Sequence, residues 1–459
     1  MLSIHRFLAL ACLTLLVAAA PGVLLASAMP NAPVAAAPNA AVPQPAQASS
    51  SAQSPSSTPQ PAYSLPPGKA ARAIALSRIR NILDIAGSVW GVVVLWLLLA
   101  LRLAAGLERW AERVSARRWL QGLVFFAVFL AVVFIASLPL DILGHHFSRA
   151  YGISIQGWTN WLGDQGKSLG LSIAIGAPVL LLFNRIVRRW PRRYWLGAWF
   201  VTLPLMVLSV FVEPLIEPLF DKYEPLSRHD PALVSKLEEV VARTGTNIPP
   251  DRMYLMKASL KTTGLNAYVA GIGATKRIVV WDTTAGRVPD DEVMFIFAHE
   301  TGHYVLNHIP KGLAGMAFAL FFVYWACAGL AAWLARRFGP RWGLRGESPL
   351  ASRAGFVVLI FAVSIAGLVL QPAANGFSRH FEHQADVYGQ EAIHGLVPDP
   401  QKTAVAAFNA LGEAWLEDPN PSPFIEFWLY NHPSVKTRAN FAAHYDPWAH
   451  GGHGEFFAN

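Results

Sequence analysis

The sequence predicts a mainly α-helical membrane protein with several spans and one sizeable polar region. Of its 459 residues, 53% are hydrophobic and only 14% are charged, and the mean hydropathy is +0.35. Soluble globular domains carry about 25% charged residues, and disordered chains combine low hydrophobicity with high charge. The composition therefore excludes a disordered protein and argues against an ordinary soluble enzyme.

Long apolar segments supply the spans. A transmembrane helix needs about 17–25 mostly apolar residues. Six segments approach or reach that length, at 84–106, 119–141, 168–184, 194–216, 313–335 and 354–371. The first four predict an N-terminal membrane domain at 68–216, and the last two are inserted in a polar region at 217–445. The third and sixth are short, so either could instead be re-entrant or buried.

The two ends of the chain have compositions of their own. Residues 1–28 combine Arg6, an apolar stretch and the sequence Ala26-Ser27-Ala28, which fits a secretory signal peptide. The stretch is long enough to fit an uncleaved signal anchor equally well. Residues 29–67 are a low-complexity linker of Ala, Pro, Ser and Gln, expected to form an extended tether. Residues 446–459 are expected to be a mobile tail.

Positive charge concentrates beside the apolar segments. The formal net charge is +8, which in a soluble protein would favour nucleic-acid binding. Here the arginines cluster in loops at 102–118, 185–193 and 336–353, so we expect no nucleic-acid partner. Because cytoplasmic loops carry the excess of Lys and Arg, the polar regions 217–312 and 372–459 are predicted to lie outside. Four basic residues argue against this side: Lys69, Arg72, Arg78 and Arg80.

The strongest chemical signal is His299-Glu300-Thr301-Gly302-His303. Residues i and i+4 share a helix face, so His299 and His303 can present two imidazoles to one zinc ion. Glu300 is placed to accept a proton from the attacking water. The spacing predicts one catalytic Zn²⁺ per chain. The alternative is a chance match, with histidines that cap or pair on an ordinary helix.

A third protein ligand must come from elsewhere in the chain. The metzincin pattern is excluded because Leu306 and Ile309 stand where it requires a glycine and a third histidine. The best candidate is Glu382, with Asp386 one turn later to accept a hydrogen bond from a ligating imidazole or to donate a proton. A solvated helix face of mixed charge is the alternative reading of this pair. Rival ligands are His380 and His383.

Topology allows the two motifs to meet. The predicted spans 313–335 and 354–371 lie between them, and two crossings return the chain to the same side of the membrane. The zinc helix and Glu382 can therefore come together if both segments span. Cysteine ligands are not available, because Cys12 and Cys327 lie in separate apolar segments.

Four segments, taken in order, resemble the integral membrane CAAX prenyl proteases, which are gluzincin-type metallopeptidases of family M48. The resemblance covers about residues 75–445. It rests on 216–226, on Asn266-Ala267-Tyr268 followed by 276–280, on the zinc motif with the Glu382/Asp386 pair, and on His432-Pro433-Ser434 with Arg438. A chance match to all four is improbable.

The resemblance implies roles at the metal. His299, His303 and Glu382 would bind zinc, Glu300 would act as the base, and Asp386 would support a ligand or donate a proton.

It also implies roles toward the substrate. Asn266 would lie on the strand beside which an extended peptide adds. His432 and Arg438 would approach the substrate carbonyl or its developing oxyanion. From the residues alone, His432 could equally be a loop histidine before a proline turn, and Arg438 a cation on a helix surface.

The fold implied by the resemblance is a ring of about six to seven membrane helices around a water-filled chamber, closed by a zinc-dependent gluzincin-like α+β protease domain. Residues 1–28 would supply the seventh helix if they are retained. The implied partners are a peptide or protein substrate, with or without a lipid modification, and membrane lipid. The sequence leaves the oligomeric state open.

Two observations limit the substrate assignment. The signal indicates a bacterial inner-membrane protein, and bacteria normally lack prenylated CAAX proteins. The charge pattern favours a periplasmic active site, whereas the eukaryotic relatives work from the cytosolic face. A broad quality-control protease of membrane or envelope proteins is therefore an alternative. A non-hydrolytic metal-binding transporter or sensor is a second, against which Glu300 argues because metal storage needs no general base.

Overall fold

Six helices within the described part of the chain are long and apolar enough to cross a membrane. The computed structural model describes residues 61–271, 273–449 and 451–458. Each helix falls on one predicted segment, so the multi-pass prediction is confirmed. The bounds are Pro67–Ala100, Arg118–Ala150, Trp158–Arg189, Tyr194–Leu219, His308–Phe338 and Arg353–Ala392. The predicted signal at 1–28 and linker residues 29–60 lie outside the described residues.

The N-terminal membrane region has two breaks that the apolar pattern did not predict. Its helices are α1 Pro67–Ala100, α2 Leu103–Val114, α3 Arg118–Ala150, α4 Trp158–Leu171, α5 Ala177–Arg189 and α6 Tyr194–Ile216. The segment predicted at 84–106 is divided because Arg102 adopts a left-handed backbone with φ of 60°. A π-helical turn at Ser172–Gly176 joins α4 and α5 into one span.

The polar region folds into a mixed sheet and helices. Strands β1 Tyr223–Pro225, β2 Met253–Met256, β3 Ala267–Ala270 and β4 Arg277–Trp281 form a sheet of order β1-β2-β4-β3. β2 and β4 are parallel, and the other pairs are antiparallel. β3 is therefore an edge strand. The helices are α7 Pro231–Thr244, α8 Asp290–Val305, α9 His308–Phe338, α10 Arg353–Ala392, α11 Pro400–Trp415, α12 Pro423–Trp428 and α13 Val435–His444.

Helix α10 continues without a break from the membrane region into the polar domain. It has 40 residues, and the Ser352 hydroxyl caps its start by accepting the Gly355 N–H at 2.8 Å. From Arg353 to Glu382, at 1.5 Å per residue, the helix rises about 44 Å, which exceeds the roughly 30 Å of membrane hydrocarbon. The sixth span and the acidic motif are thus parts of one rigid element.

Helices α8 and α10 approach each other closely at two glycines. A Cβ added at Gly389 would lie 2.9 Å from the backbone nitrogen of His299. A Cβ added at Gly302 would lie 3.0 Å from the Tyr388 ring. This approach brings the acidic residues of α10 against the histidines of α8.

The three arginine-rich loops meet at one end of the molecule. Arg102 Nε donates to the Arg341 carbonyl oxygen at 2.9 Å, and the Arg353 backbone N–H donates to the Glu108 carboxylate at 2.8 Å. The 185–193 loop follows α5, whose Asn184 side chain reaches the carbonyl oxygens of Ala351 and Ser352. We call this face the arginine end.

The polar domain and the segment before α1 lie at the opposite end. Tyr63 is 1% exposed, and its hydroxyl donates to the Glu417 carbonyl oxygen at 2.9 Å. The 142–167 loop, which carries little positive charge, joins the same domain through a β-bridge between Ser154 and Thr262. Alternate loops therefore lie at opposite ends, as the charge pattern predicts.

Three of the four basic residues that opposed this arrangement have partners in or beside the polar domain. Lys69 pairs with the Glu413 carboxylate. Arg72 donates to the Tyr151 carbonyl oxygen at 2.7 Å, and Arg80 donates to that of Trp415 at 2.8 Å. Acceptors in or beside the polar domain thus hold these three basic residues at that end of the molecule.

The C-terminal tail is anchored to α10 by a contact that the sequence analysis did not predict. Glu391 on α10 is fully buried, and its carboxylate accepts the backbone N–H groups of Glu455, Phe456 and Phe457 at 2.6–3.0 Å. A buried carboxylate needs such donors, so it holds this part of the predicted mobile tail against the helix.

We predict that Gly389→Ala destabilises the protein and weakens metal binding. The new Cβ would meet backbone atoms of His299, which cannot rotate away, and overpacking of this kind costs about 1–3 kcal/mol. Gly376→Ala on the same helix is the matched control, because its Cβ would meet only the Arg379 side chain at 3.6 Å, and alanine is favoured over glycine in helices. Melting temperature and zinc affinity of the detergent-purified protein check this. Equal values for the two variants would contradict the packing argument.

Candidate metal centre

Two histidines of α8 face each other in the buried interior. His299 and His303 are each 3% exposed, and their Nε2 atoms lie 3.2 Å apart. The acidic residues Asp290 and Asp291 at the start of α8 stabilise the helix through its positive N-terminal dipole. One helical turn separates the two imidazoles, so both present a nitrogen to the same point.

Glu382 of α10 completes a set of three donors. Its Oε2 lies 3.4 Å from His299 Nε2, and its Oε1 lies 3.7 Å from His303 Nε2. Ligands about 2.0–2.1 Å from a tetrahedral zinc ion are about 3.3 Å from each other. The described residues contain one group of three or more metal-binding side chains, and it is this one.

The donor set fits a metal ion by a second criterion. Glu382 is 2% exposed, and its Oε2 has no hydrogen-bond partner among the described residues. A buried carboxylate oxygen without a donor is costly, and a divalent cation would satisfy it. The residues present therefore fit zinc.

Asp386 and Arg438 form a buried pair behind His299. His299 Nδ1 donates to Asp386 Oδ1 at 2.9 Å. Arg438 of α13 donates to both oxygens of the same carboxylate, at 2.5 and 2.9 Å. Its guanidinium thus lies behind the ligand, 3.4 Å from His299 Nδ1. This pair holds the His299 ring with Nε2 toward the other donors.

His303 has a different support, which the sequence analysis missed. Its Nδ1 lies 3.0 Å from Nδ1 of His308, whose Nε2 lies 3.1 Å from Gln384 Oε1. An amide oxygen only accepts, so His308 carries its proton on Nε2 and accepts from His303. The His308 ring also stacks on Phe381 with centroids 4.2 Å apart. His303 is thereby left with a free lone pair on Nε2.

The two histidines differ in proton affinity in the metal-free protein. Burial disfavours the imidazolium of His299, but the neighbouring carboxylates of Asp386 and Glu382 outweigh burial and raise its pKa to about 9. Burial lowers the pKa of His303 well below its usual value. A metal needs neutral imidazoles, so binding must release a proton from His299.

Glu300 is buried beside the donor set and is 4% exposed. Burial, and to a lesser extent the negative charge of Glu300, raise the pKa of the Tyr304 phenol. The Tyr304 hydroxyl donates to the Gly271 carbonyl oxygen at 2.5 Å. Glu300 itself is not one of the three donors that could hold a metal.

His432 is more exposed than the three metal donors, and Asn266 directly precedes edge strand β3. The His432 side chain is 17% exposed, and its Nε2 is 3.2 Å from Glu382 Oε1. Asn266 precedes edge strand β3, is 4% exposed, and exchanges backbone hydrogen bonds of 2.8 Å with the Thr284 hydroxyl.

The rival ligands from the sequence are not in the donor group. His380 is exposed, and His383 packs against the Phe441 ring.

Comparison with known proteins agrees with this geometry. Residues 227–446 match peptidase family M48, and residues 53–222 match the CAAX prenyl protease N-terminal region, described as five membrane helices. The uncharacterized metalloprotease YhfN of Bacillus subtilis is 32% identical over 383 residues, which are 83% of this chain and 87% of that protein. The chain belongs to peptidase family M48.

More distant M48 relatives include eukaryotic enzymes. CAAX prenyl protease 1 of Saccharomyces cerevisiae is 25% identical over 336 residues, 69% of this chain and 71% of that protein. The crystal structure of S. mikatae Ste24p has the same fold, with a TM-score of 0.69 at 21% identity, covering 83% of this chain and 90% of that one. The predicted family, membrane fold and metallopeptidase activity are confirmed, and M48 peptidases are metal-dependent.

We predict that His308→Ala lowers metal affinity by about 10–100-fold, the usual effect of removing a hydrogen-bond partner of a metal-ligating histidine. His303 would lose the acceptor that fixes its tautomer. Competition with a zinc chelator measures the affinity, and the melting temperature reports folding. His380→Ala removes an exposed histidine and should leave the affinity unchanged. An unchanged affinity in His308→Ala would refute the support role.

Proposed function

We propose that the protein is a zinc endopeptidase in which His299, His303 and Glu382 hold the metal. The observation that carries this is the match between the spacing of the three donors and the edge of a tetrahedral zinc site. When bound, zinc supplies Lewis-acid chemistry, polarising a carbonyl and lowering the pKa of water. The family matches at 53–222 and 227–446 support a division into a membrane domain at 68–216 and a peptidase domain at 217–445.

Glu300 is the proposed base. It is buried on the motif helix directly after His299 and is not one of the three metal donors. We propose that its carboxylate takes a proton from the attacking water. The same carboxylate can then return the proton to the leaving amine. Burial keeps competing water away and strengthens these proton transfers.

Asp386 and Arg438 have a positioning role in this proposal. The resemblance suggested that Arg438 approaches the substrate oxyanion, and that Asp386 could donate a proton. Each is occupied by the other, and the pair orients His299. His432, which is more exposed than these groups, is the residue we propose for hydrogen bonding to the substrate carbonyl and its developing negative charge.

An extended peptide is the substrate form that the sheet favours. β3 is an edge strand beside α8, and an edge accepts a further strand through backbone hydrogen bonds. We propose that Asn266, at the start of β3, contacts that peptide.

Two substrate classes are each favoured by a separate observation. The relatives from S. cerevisiae and Dictyostelium discoideum are named CAAX prenyl proteases, which favours a prenylated C-terminal peptide. The arginine distribution favours segments of membrane or envelope proteins on the periplasmic side. The arginine end carries the loops that the positive-inside rule assigns to the cytoplasm, and the donor set lies about 44 Å along α10 from it. We propose a bacterial inner-membrane protein with a periplasmic active site.

We predict that Glu300→Gln abolishes hydrolysis while metal content stays at the wild-type level. Loss of a general base costs about 10²–10⁴-fold in rate, and Glu300 is not among the three donors. Peptide cleavage and zinc content of the purified full chain measure both effects. His299→Ala is the contrasting variant, since it should lose metal and activity together. Full activity in Glu300→Gln would contradict the proposed mechanism.

The same assay separates the two substrate classes when one peptide is offered with and without a farnesyl group. Cleavage of the farnesylated form alone would support the CAAX-type substrate. Equal cleavage of both forms, and of unrelated peptides, would support quality control. Zinc binding without hydrolysis of any peptide would favour the transporter or sensor alternative.

We predict that the polar domain is reachable from the periplasm. In a chain whose Cys12 and Cys327 are replaced by serine, Lys402→Cys places a thiol on a side chain that is 88% exposed. A membrane-impermeant maleimide should label it in intact spheroplasts. Arg345→Cys, exposed at the arginine end, should react only after lysis. The reverse pattern would place the active site in the cytoplasm.

A further inference from the structure

The C-terminal tail packs on the same part of α10 that faces the zinc-motif helix α8. We call residues 454–457 the tail clasp. Three successive backbone N–H groups of the tail clasp donate to the buried Glu391 carboxylate, an arrangement that holds an anion firmly. A Cβ added at Gly454 would lie 2.5 Å from this carboxylate. The backbone of the tail clasp is therefore anchored directly on α10.

Two phenylalanines of the tail clasp pack on the ring of Tyr388, about one helical turn before Glu391 on α10. The ring centroids of Phe456 and Phe457 lie 5.7 and 5.1 Å from that of Tyr388. Tyr388 is 3% exposed, and the two phenylalanines are half-buried. Cζ of Arg243, on α7, lies 5.3 Å from the centroid of the Phe457 ring. The tail clasp thus joins α7 to α10.

The Tyr388 ring also lies against the backbone of the zinc motif. A Cβ added at Gly302 would lie 3.0 Å from an atom of this ring, and Gly302 directly precedes His303. The residue after Tyr388 is Gly389, where an added Cβ would lie 2.9 Å from the backbone nitrogen of His299. One aromatic ring therefore contacts both the tail clasp and the turn of α8 that carries the two histidines.

Close packing makes this chain of contacts a control on helix separation. Protein interiors contain few voids, and neighbouring groups relax partly into the space that a deleted ring leaves. Loss of the Phe457 ring would give Tyr388 room to move away from Gly302. The separation of α8 and α10 would then change, and with it the distances of 3.4 and 3.7 Å between the Glu382 oxygens and the two imidazoles.

We propose that the tail clasp is a positioning element of the metal site. By holding Tyr388 against α8, it keeps Glu382 at ligand distance from His299 and His303. Phe456 and Phe457 act through Tyr388, so they are positioning residues and not ligands or catalytic groups. This inference rests on the proposed metal site, and adds to it a segment that lies about 70 residues after Glu382 in the sequence.

Phe457→Ala in the full-length protein tests the proposal. It should lower the affinity for Zn²⁺ by up to about 10-fold, the smaller end of the effect of groups that orient metal ligands. Competition with a zinc chelator, well below the melting temperature, measures the affinity. Phe457→Leu keeps most of the apolar volume and should restore most of the affinity. Phe318→Ala is the matched control, because it deletes a ring that is 70% exposed on α9, and it should bind zinc as the wild type does.

The visible absorption spectrum of Co²⁺, bound in place of zinc, separates positioning from general stability. The bands depend on the arrangement of the ligands, so they should shift in Phe457→Ala and stay unchanged in Phe318→Ala. Gly454→Ala tests the anchor by a second route, since its Cβ would displace the tail clasp from Glu391 without deleting a packed ring. It should reproduce both effects, and it replaces Phe457→Ala if that variant cannot be purified.

Three results would contradict parts of this account in distinguishable ways. A lower melting temperature in Phe457→Ala or Gly454→Ala, with wild-type zinc affinity and an unchanged Co²⁺ spectrum, would overturn the positioning role alone. Zinc binding by the wild type without cleavage of any peptide would contradict the proposed peptidase, while the affinities of the variants would still decide the role of the tail clasp. A wild-type protein that binds no zinc would overturn both.

Discussion

The close crossing of α8 and α10 is the constraint on which the rest of the site depends. Gly389 and Gly302 let the helices approach so closely that a Cβ added at either glycine would touch the other helix. At that separation, donors from the two helices lie 3.4 and 3.7 Å apart, close to the roughly 3.3 Å between neighbouring ligands of a tetrahedral zinc ion. Because α10 is continuous, the position of the membrane region is linked directly to the position of Glu382.

The metal donors are supported from behind by two unlike networks. His299 is held by the charged Asp386/Arg438 pair, while His303 is held by the neutral His308/Gln384 pair. The carboxylates beside His299 favour a proton on that ring in the metal-free protein, whereas burial lowers the pKa of His303. Both leave Nε2 directed toward the third donor. The geometry thus prepares each ring for ligation by a different physical means.

Much of the membrane fold follows from local apolar length, which explains why six helices occur where they are expected. The facing of His299 and His303 follows from helical spacing, and the approach of Glu382 follows from the return of the chain to the same side; that these three bind metal stays a proposal. Continuity of α10 could not be inferred, because polar residues after 371 end the apolar pattern without ending the helix. The left-handed Arg102 and the π-turn at Ser172–Gly176 likewise leave no apolar signal.

Side-chain partnerships were harder to predict than elements. His308 lies just beyond the zinc motif in the sequence. Its contacts with His303 and Gln384 show that it supports the His303 ring. The buried carboxylate of Glu391 needs hydrogen-bond donors. These donors are backbone N–H groups of the C-terminal tail, which the sequence pattern does not reveal. The direction of Arg438 depends on how α13 packs against α10, which spacing alone does not define.

We propose that the crossing of α8 and α10 builds a metal site from two imidazoles and one carboxylate. X-ray absorption spectroscopy of the zinc-loaded full-length protein tests it most directly. The account predicts two imidazole nitrogens, with the remaining ligands being oxygen at about 2.0–2.2 Å. Three imidazoles would contradict it, since His432 would then have replaced Glu382 in the donor set.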